Sequence, residues 1–185
     1  MVRYINRMCK AIRSTGCKKL TFYNVSQDFR VAPAIRKSDI QGSTHAWYPS
    51  ALNNNYSIEG NGLLFVDHYE QMLHPDLRGK AKIVYEFDAT DMASGFMFPA
   101  MAREFRRGGI QFAAIFSYDM LRTAPMNLGW QTHFFNMVFT PSKAVSSMIA
   151  AEVMRRIPRG KHFGYYPDNR TFDDFRVSYD EQLSE

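Results

Sequence analysis

The stretch Lys82-Ile83-Val84-Tyr85-Glu86-Phe87-Asp88-Ala89-Thr90-Asp91 reads as a strand that ends in carboxylates. Ile83, Val84 and Tyr85 are β-branched and aromatic residues of the kind that fill a pleated surface, and Ala89-Thr90-Asp91 is a polar exit. Glu86 therefore falls near the carboxyl end of the strand. In a parallel α/β array that end opens onto the crevice where such folds place their chemistry. Glu86 is thus a candidate functional group, and its structural alternative is a carboxylate held by a neighbouring arginine or by loop amides.

Upstream of this strand, Pro75 to Lys80 is a turn, and Leu63 to Met72 predicts a helix with Phe65, Val66, Tyr69 and Met72 at three-four spacing. Before it, Thr44-His45-Ala46-Trp47-Tyr48 is a brief strand stopped by Pro49 and followed by the polar loop Asn53-Asn54-Asn55-Tyr56. Leu20 to Val25 is another strand, with the exit Ser26-Gln27-Asp28, and Ala34 to Ile40 is a weaker helical segment. The chain opens on an amphipathic helix in which Tyr4, Ile5, Met8, Cys9 and Ile12 share one face and Ser14-Thr15-Gly16 supplies the stop.

Downstream, Pro99 suits the first turn of a helix that carries Met101, Ala102 and Phe105 inward and ends at Gly108-Gly109. The run from Gln111 to Asp119 is a continuous apolar strand of the kind buried on both faces. Thr140-Pro141 starts a last helix, expected to turn Val145, Met148, Ile149 and Val153 inward and to stop before Pro158. From Lys161 onward the pattern changes to turns and alternation, with Phe175, Val177 and Tyr179 on one side of a β segment.

Strands near Leu20, Thr44, Lys82 and Gln111, each followed by a helical segment, place the chain in the α/β class with a parallel sheet. Their ends, Tyr23-Asn24, Trp47-Tyr48, Glu86 and Tyr118-Asp119, then converge on one side. A doubly wound sheet usually carries a glycine-rich phosphate loop after its first strand, and none stands here. A barrel fits better, but an eight-stranded one needs roughly 250 residues. The 185 residues here supply four strand-helix units, read as residues 1–159 forming half a (β/α) barrel and 160–185 opening a β-rich accessory domain or tail.

Composition narrows the function classes. The chain is 45% hydrophobic and 15% aromatic, with no run long and apolar enough to span a membrane. The net charge of +5 comes from dispersed pairs such as Lys18-Lys19, Arg106-Arg107 and Arg155-Arg156 near helix ends, which argues against nucleic-acid binding. Two cysteines, Cys9 and Cys17, make no disulfide framework or zinc site, and His45, His68, His74, His133 and His162 show no metal-ligand spacing. Residues 1–10 lack the apolar core of a signal peptide.

The Lys82–Asp88 strand, the helix start Phe98-Pro99-Ala100-Met101-Ala102-Arg103, Ile115-Phe116-Ser117-Tyr118-Asp119 and Trp47-Tyr48-Pro49 resemble the second half of a glycoside hydrolase barrel of clan A. The segment from Asn136 through Arg159 is similar to the last barrel helix and the lead into a β-rich domain. By that resemblance the strands are the fifth to eighth, and Glu86 stands at the position of the catalytic nucleophile of retaining members. A carboxylate on a rigid strand can attack an anomeric carbon while a second carboxyl group protonates the leaving oxygen. Trp47, Tyr48, Tyr118 and Trp130 would stack on sugar rings, and Asn24, His45 and Asp119 would hydrogen-bond hydroxyls. For Trp130 the alternative is packing against the last helix, and for His45 it is a structural histidine.

The resemblance implies an oligosaccharide or polysaccharide substrate, no cofactor, and a secreted, periplasmic or cell-surface location. It also implies an acid/base glutamate at the end of the fourth strand, upstream of where this chain opens, so both ends read as cut. Gln27 lies at a neighbouring strand end, but an amide cannot donate a proton as a carboxylic acid does; Asp88 and Asp119 are the remaining candidates. The competing reading is a non-catalytic carbohydrate-binding or scaffold protein with the same aromatic strand ends. Half a barrel exposes strand edges on both sides, and self-association through them is expected.

Overall fold

The computed structural model describes residues 1–26, 28–49, 60–89, 95–126 and 135–185. Four parallel strands, β1 (Phe22–Ser26), β2 (Gly42–Trp47), β3 (Ala81–Phe87) and β4 (Phe112–Ile115), lie side by side in sequence order. Helices α1 (Val2–Ser14), α2 (Ala32–Arg36), α3 (Met97–Arg107) and α4 (Pro141–Arg156) alternate with them, and a small antiparallel sheet follows: β5 (Thr171–Phe172), β6 (Phe175–Ser178) and β7 (Leu183–Ser184). This is the partial-barrel pattern of strand-helix units with a β-rich end. No helix among the described residues is long and apolar enough to cross a membrane.

The helices cover one face of the sheet. Trp47, Val84 and Phe87 point into a core shared with Leu63, Tyr69 and Met72 and with Phe98 and Phe105 of α3. A second core, under α1 and α2, gathers Ile5, Cys9, Val25, Ile35, Ile40 and Leu77. The other, more open face is covered unevenly among the described residues: β4 has no fully buried residue and Phe112 is 57% exposed, whereas Tyr48 beyond β2 is buried. The apolar run from Gln111 was expected to be buried on both faces, and it differs because the described helices pack on one side only. Phe22 lies close against Gly42, where an added Cβ would meet its ring at 2.4 Å.

Between β2 and β3 the expected helix over Leu63 to Met72 is instead a series of 3₁₀ turns, Gly62–His68 and Glu70–Leu73, continued by Pro75–Leu77. The reason is the spacing of the buried residues. Leu63, Val66, Tyr69 and Met72 recur every third position, which matches the three residues per turn of a 3₁₀ helix and leaves Leu64 and Phe65 exposed. The weaker helix expected over Ala34 to Ile40 forms earlier and shorter, with Pro33 in its first turn.

Two helices bury only part of the face their periodicity suggests, since Ile5, Cys9 and Val153 are buried as expected and Ile149 packs against the core. In α1 only Ile5 and Cys9 are buried, while Tyr4, Met8 and Ile12 remain exposed. In α4 the close contact with α3 uses small residues, Ala144, Ser146 and Ala150, together with Val153, and Val145 and Met148 stay exposed.

The C-terminal strands are packed into the main core, where Phe172, Phe175 and Val177 sit beside the α3 residues. A buried polar clamp ties them in. Asp67 accepts from the Arg103 guanidinium at 2.8 Å, from the Tyr166 amide at 2.8 Å and from Asn169 Nδ2 at 2.8 Å, and Arg103 also donates to the Asn169 carbonyl at 2.7 Å. Removing one partner of such a pair leaves a buried charge without compensation. Asp67→Ala is therefore expected to lower the unfolding free energy by about 3–5 kcal/mol. Asp28→Ala, which breaks an exposed pair with Arg30, should leave the urea midpoint unchanged. Equal midpoints for the two variants would show that the clamp adds nothing.

Candidate functional site

The site begins with an irregularity in strand pairing. Val84 lies opposite His45, but the next pair is Glu86 with Ala46, so Tyr85 is an extra residue on β3. Toward β4, Val84 pairs with Ala113 and Phe87 with Ile115, again leaving Tyr85 and Glu86 opposite one residue. A similar step lies between β1 and β2, where Asn24 pairs with Thr44 and Ser26 with His45. Bulges of this kind re-aim side chains. Val84 and Phe87 both reach the helix-side core, so the two residues between them turn to the open face. Tyr85 meets the Ser26 hydroxyl there, oxygen to oxygen at 3.3 Å.

Glu86 is half-buried, and the Tyr48 hydroxyl is hydrogen-bonded to it. Tyr48 is buried, and its phenol pKa is pushed well up, first by burial and then by the nearby carboxylates of Glu86 and Asp88. The phenol therefore stays protonated as a donor. Asp88 is fully buried and ion-paired with Lys143 of α4 at 2.7 Å, and the same ammonium donates to the Ala89 carbonyl at 3.1 Å. The structure thus assembles a carboxylate, a neutral phenol donor and a charge-paired aspartate at the carboxyl end of β3.

The other sequence candidates fall into three groups. Asn24 is exposed on the open face and accepts from the Thr44 hydroxyl at 3.0 Å. Tyr118 and Asp119 follow β4; Tyr118 is 51% exposed and edge-on to Phe135, and the Asp119 carboxylate accepts from the Phe135 amide at 3.3 Å. These residues share the carboxyl-end side of the sheet with Glu86. Trp47 and His45 are placed differently, on the helix-covered face. Trp47 stacks on Tyr69 with ring centroids 4.8 Å apart, in the helix-side core. His45 is fully buried between Phe29, stacked at 5.6 Å, and the edge of Tyr69, so the structure gives it the structural environment and does not bring it to Glu86. Trp130, Gln27 and the loop Asn53 to Tyr56 lie outside the described residues.

One carboxyl group escaped the sequence reading. Burial raises the pKa of Glu104 to about 7, against the opposing pull of the Arg107 guanidinium at 3.3 Å. Such a value suits a general acid. Glu104 sits on α3 in the outer layer, however, beside Arg107 and the Asp67 clamp rather than beside Glu86. Its only sequence signal is its three-residue spacing to Arg107.

A cavity of about 790 Å³ opens at the opposite, amino-terminal end of the strands, between Gln41, Lys80, Lys82, Gln111 and Arg159. Its two central ammonium groups are already engaged: Lys80 donates to the carbonyls of Ser38 and Ile40, and Lys82 to those of Met72 and Gly108. No three of His, Cys, Asp and Glu come together as a metal-binding group among the described residues.

Comparison of the chain with family models, with curated proteins and with solved structures returned no match.

The buried histidine generates a prediction. Desolvation, aided by the Lys82 charge, lowers the His45 pKa to about 4. Its unfolded value is about 6.5, so below that pH the unfolded chain binds a proton that the folded chain refuses. The contribution of neutral His45 is complete above about pH 6.5 and is lost as the pH falls toward 4. Between pH 7 and 4.5 the native chain should therefore lose about 2–3 kcal/mol more stability than His45→Gln. Urea titrations of both at the two pH values check this, and parallel losses would contradict it.

Proposed function

We propose that this chain is the nucleophile-bearing half of a retaining β-glycosidase barrel of the clan A kind, with Glu86 as the nucleophile. The observation that supports the reading is the placement of Glu86 by the β3 bulge on the open face, at the carboxyl end of a parallel strand, in hydrogen-bond contact with Tyr48. The carboxylate attacks the anomeric carbon, the bond from that carbon to the leaving oxygen breaks, and a glycosyl ester forms that water later hydrolyses. Tyr48 orients the attacking oxygen. The acid that protonates a poor leaving group comes from outside this chain, on the other half of the barrel.

A second reading, a carbohydrate-binding or scaffold protein without hydrolysis, is favoured by the state of the nearby aspartates. Asp88 is neutralised by Lys143, and Asp119 is engaged by the Phe135 amide, so neither is presented as an acid partner.

The two readings separate on a substrate whose leaving group needs no proton. With 2,4-dinitrophenyl β-glycosides, the chain should release dinitrophenolate and gain the mass of one glycosyl unit on Glu86, whereas Glu86→Gln gains none. Simple alkyl β-glycosides should not react with either protein. Absence of any adduct, with sugar binding retained by calorimetry in both proteins, would transfer the assignment to the binding reading. Absence of both reaction and binding would remove carbohydrate altogether.

A further inference from the structure

We infer that the amino-terminal end of the sheet, opposite Glu86, holds a binding site for the phosphate group of a small phosphomonoester, formed by Arg78, Lys80 and Arg159. The site is independent of the carbohydrate reading.

Topology gathers the cations. In a parallel sheet built of strand-helix units the helices run against the strands, so helix carboxyl ends and strand starts share one end of the molecule. Cations are favoured beside the carbonyls that close a helix. Arg13, at the end of α1, donates to Gln41 before β2 at 2.8 Å. Lys82 of β3 donates to the Gly108 carbonyl past α3 at 2.9 Å, and Arg106 donates to the Ile157 carbonyl past α4 at 2.6 Å. Charges that are dispersed along the chain therefore meet in space, whereas Glu86, Asp88 and Asp119 lie toward the other end.

Arg13, Lys82 and Arg106 thus have structural partners, and the cavity of about 790 Å³ at this end adds cations that lack them. Its lining sets Arg78, Lys80, Lys82 and Arg159 against a single carboxylate, Asp39. Arg78 and Arg159 are exposed, and among the described residues no hydrogen bond or ion pair engages either guanidinium. Arg159 instead adds its charge to that of Arg106, whose pKa is lowered first by burial and then by Arg159. Like charges held together in this way attract an anion. Lys80 is positioned in advance. Its ammonium has three donors, two of which are used on the carbonyls of Ser38 and Ile40 at 3.2 and 2.7 Å, and one N–H remains. A head group fixed before the ligand arrives loses little freedom on binding.

The donors select the ligand. A planar guanidinium fork matches the paired oxygens of a phosphate or a carboxylate. A carboxylate brings one negative charge, whereas a phosphomonoester brings about −1.5 to −2 and three acceptor oxygens, which suits two guanidiniums and an ammonium N–H. The cavity falls within the roughly 300–1,000 Å³ of small-molecule pockets, so there is room for an organic group beyond the phosphate. Gln111, exposed in the same lining, offers its amide to the hydroxyls of that group. Among the described residues no aromatic side chain lines the cavity, so the bases of a nucleic-acid strand would find no stacking platform there.

Calorimetric titration at low salt with ribose 5-phosphate tests this, with inorganic phosphate, ribose and a thymidine oligonucleotide as comparisons. The natural chain should bind one equivalent of ribose 5-phosphate, with inorganic phosphate competing more weakly and ribose not competing. Arg78→Gln with Arg159→Gln should weaken binding at least tenfold. Arg122→Gln with Arg170→Gln, the same loss of charge at exposed positions outside the cavity, should weaken it less than twofold. Equal weakening by the two pairs would reveal a diffuse positive surface and overturn the proposal. Inorganic phosphate binding as tightly as the ester would reduce the site to one for the free ion, and oligonucleotide binding without uptake of ribose 5-phosphate would make it a nucleic-acid surface; either result overturns the assignment. A measurement on the natural chain alone guards against variants that fail to fold. Acetylation of Lys80 by acetic anhydride, read by mass spectrometry, should fall several-fold at saturating ribose 5-phosphate while that of Lys18 is unchanged, and unaltered labelling of Lys80 would reject the site.

Discussion

Val84 and Phe87 both have to reach the helix-side core, and that requirement shapes the rest of the sheet. Strict alternation would send two residues three apart to opposite faces. The chain resolves the conflict with a bulge, so that Tyr85 and Glu86 turn together onto the open face. Phe87 is then free to pack edge-on against Phe98 and Phe105 of α3. Core packing and site geometry are therefore one event: a substitution that relieved the need for Phe87 in the core would also relax the direction of Glu86.

The Asp67 clamp performs a related task in the outer layer. It brings the turn at Gly62–His68, helix α3 and the C-terminal segment to a single carboxylate that accepts three hydrogen bonds. The Arg103 guanidinium lies 4.9 Å over the Phe172 ring, so the same cation also faces the small antiparallel sheet. A buried ionic cluster adds little net stability compared with apolar packing, but its geometry is unforgiving. It admits one arrangement of three segments that apolar contacts alone would let slide.

Strand order and the direction of the sheet were legible in the sequence, because β-branched and aromatic runs separated by helical segments leave few topologies. The placement of Glu86 at a strand end was legible for the same reason. What periodicity could not reveal was which half of a broad apolar face each helix would use. Tyr4 and Met8, or Val145 and Met148, have the same spacing as the residues that did become buried, and small residues decided the α3–α4 contact by allowing close approach. Spacing likewise hid the 3₁₀ turns, since residues three apart suit either helix type until the intervening ones are seen to be exposed. Trp47 and His45 were read as ligand contacts from the resemblance and their place near a strand end, with a structural histidine as the alternative for His45. Their neighbour Tyr48, one residue beyond β2, is the one that meets Glu86.

The two faces of the sheet at β2 and β3 therefore carry opposite electrostatic solutions. On the covered side His45 is packed between rings and kept neutral, and the Lys82 ammonium is absorbed by the carbonyls of Met72 and Gly108, so little charge is left to act. On the open side Glu86 meets a phenol. A guanidinium in that position would neutralise the carboxylate and hold it in a bidentate pair. A buried phenol whose own ionisation is suppressed supplies direction without adding a positive charge, and the nearby negative charges of Glu86 and Asp88 keep its proton in place. Asp88, one residue beyond Phe87, receives the cation instead, and Lys143 thereby pins the start of α4 to the strand end. Pairing Asp88 with Lys143 and Glu86 with a neutral donor therefore gives two neighbouring carboxylates different electrostatic surroundings.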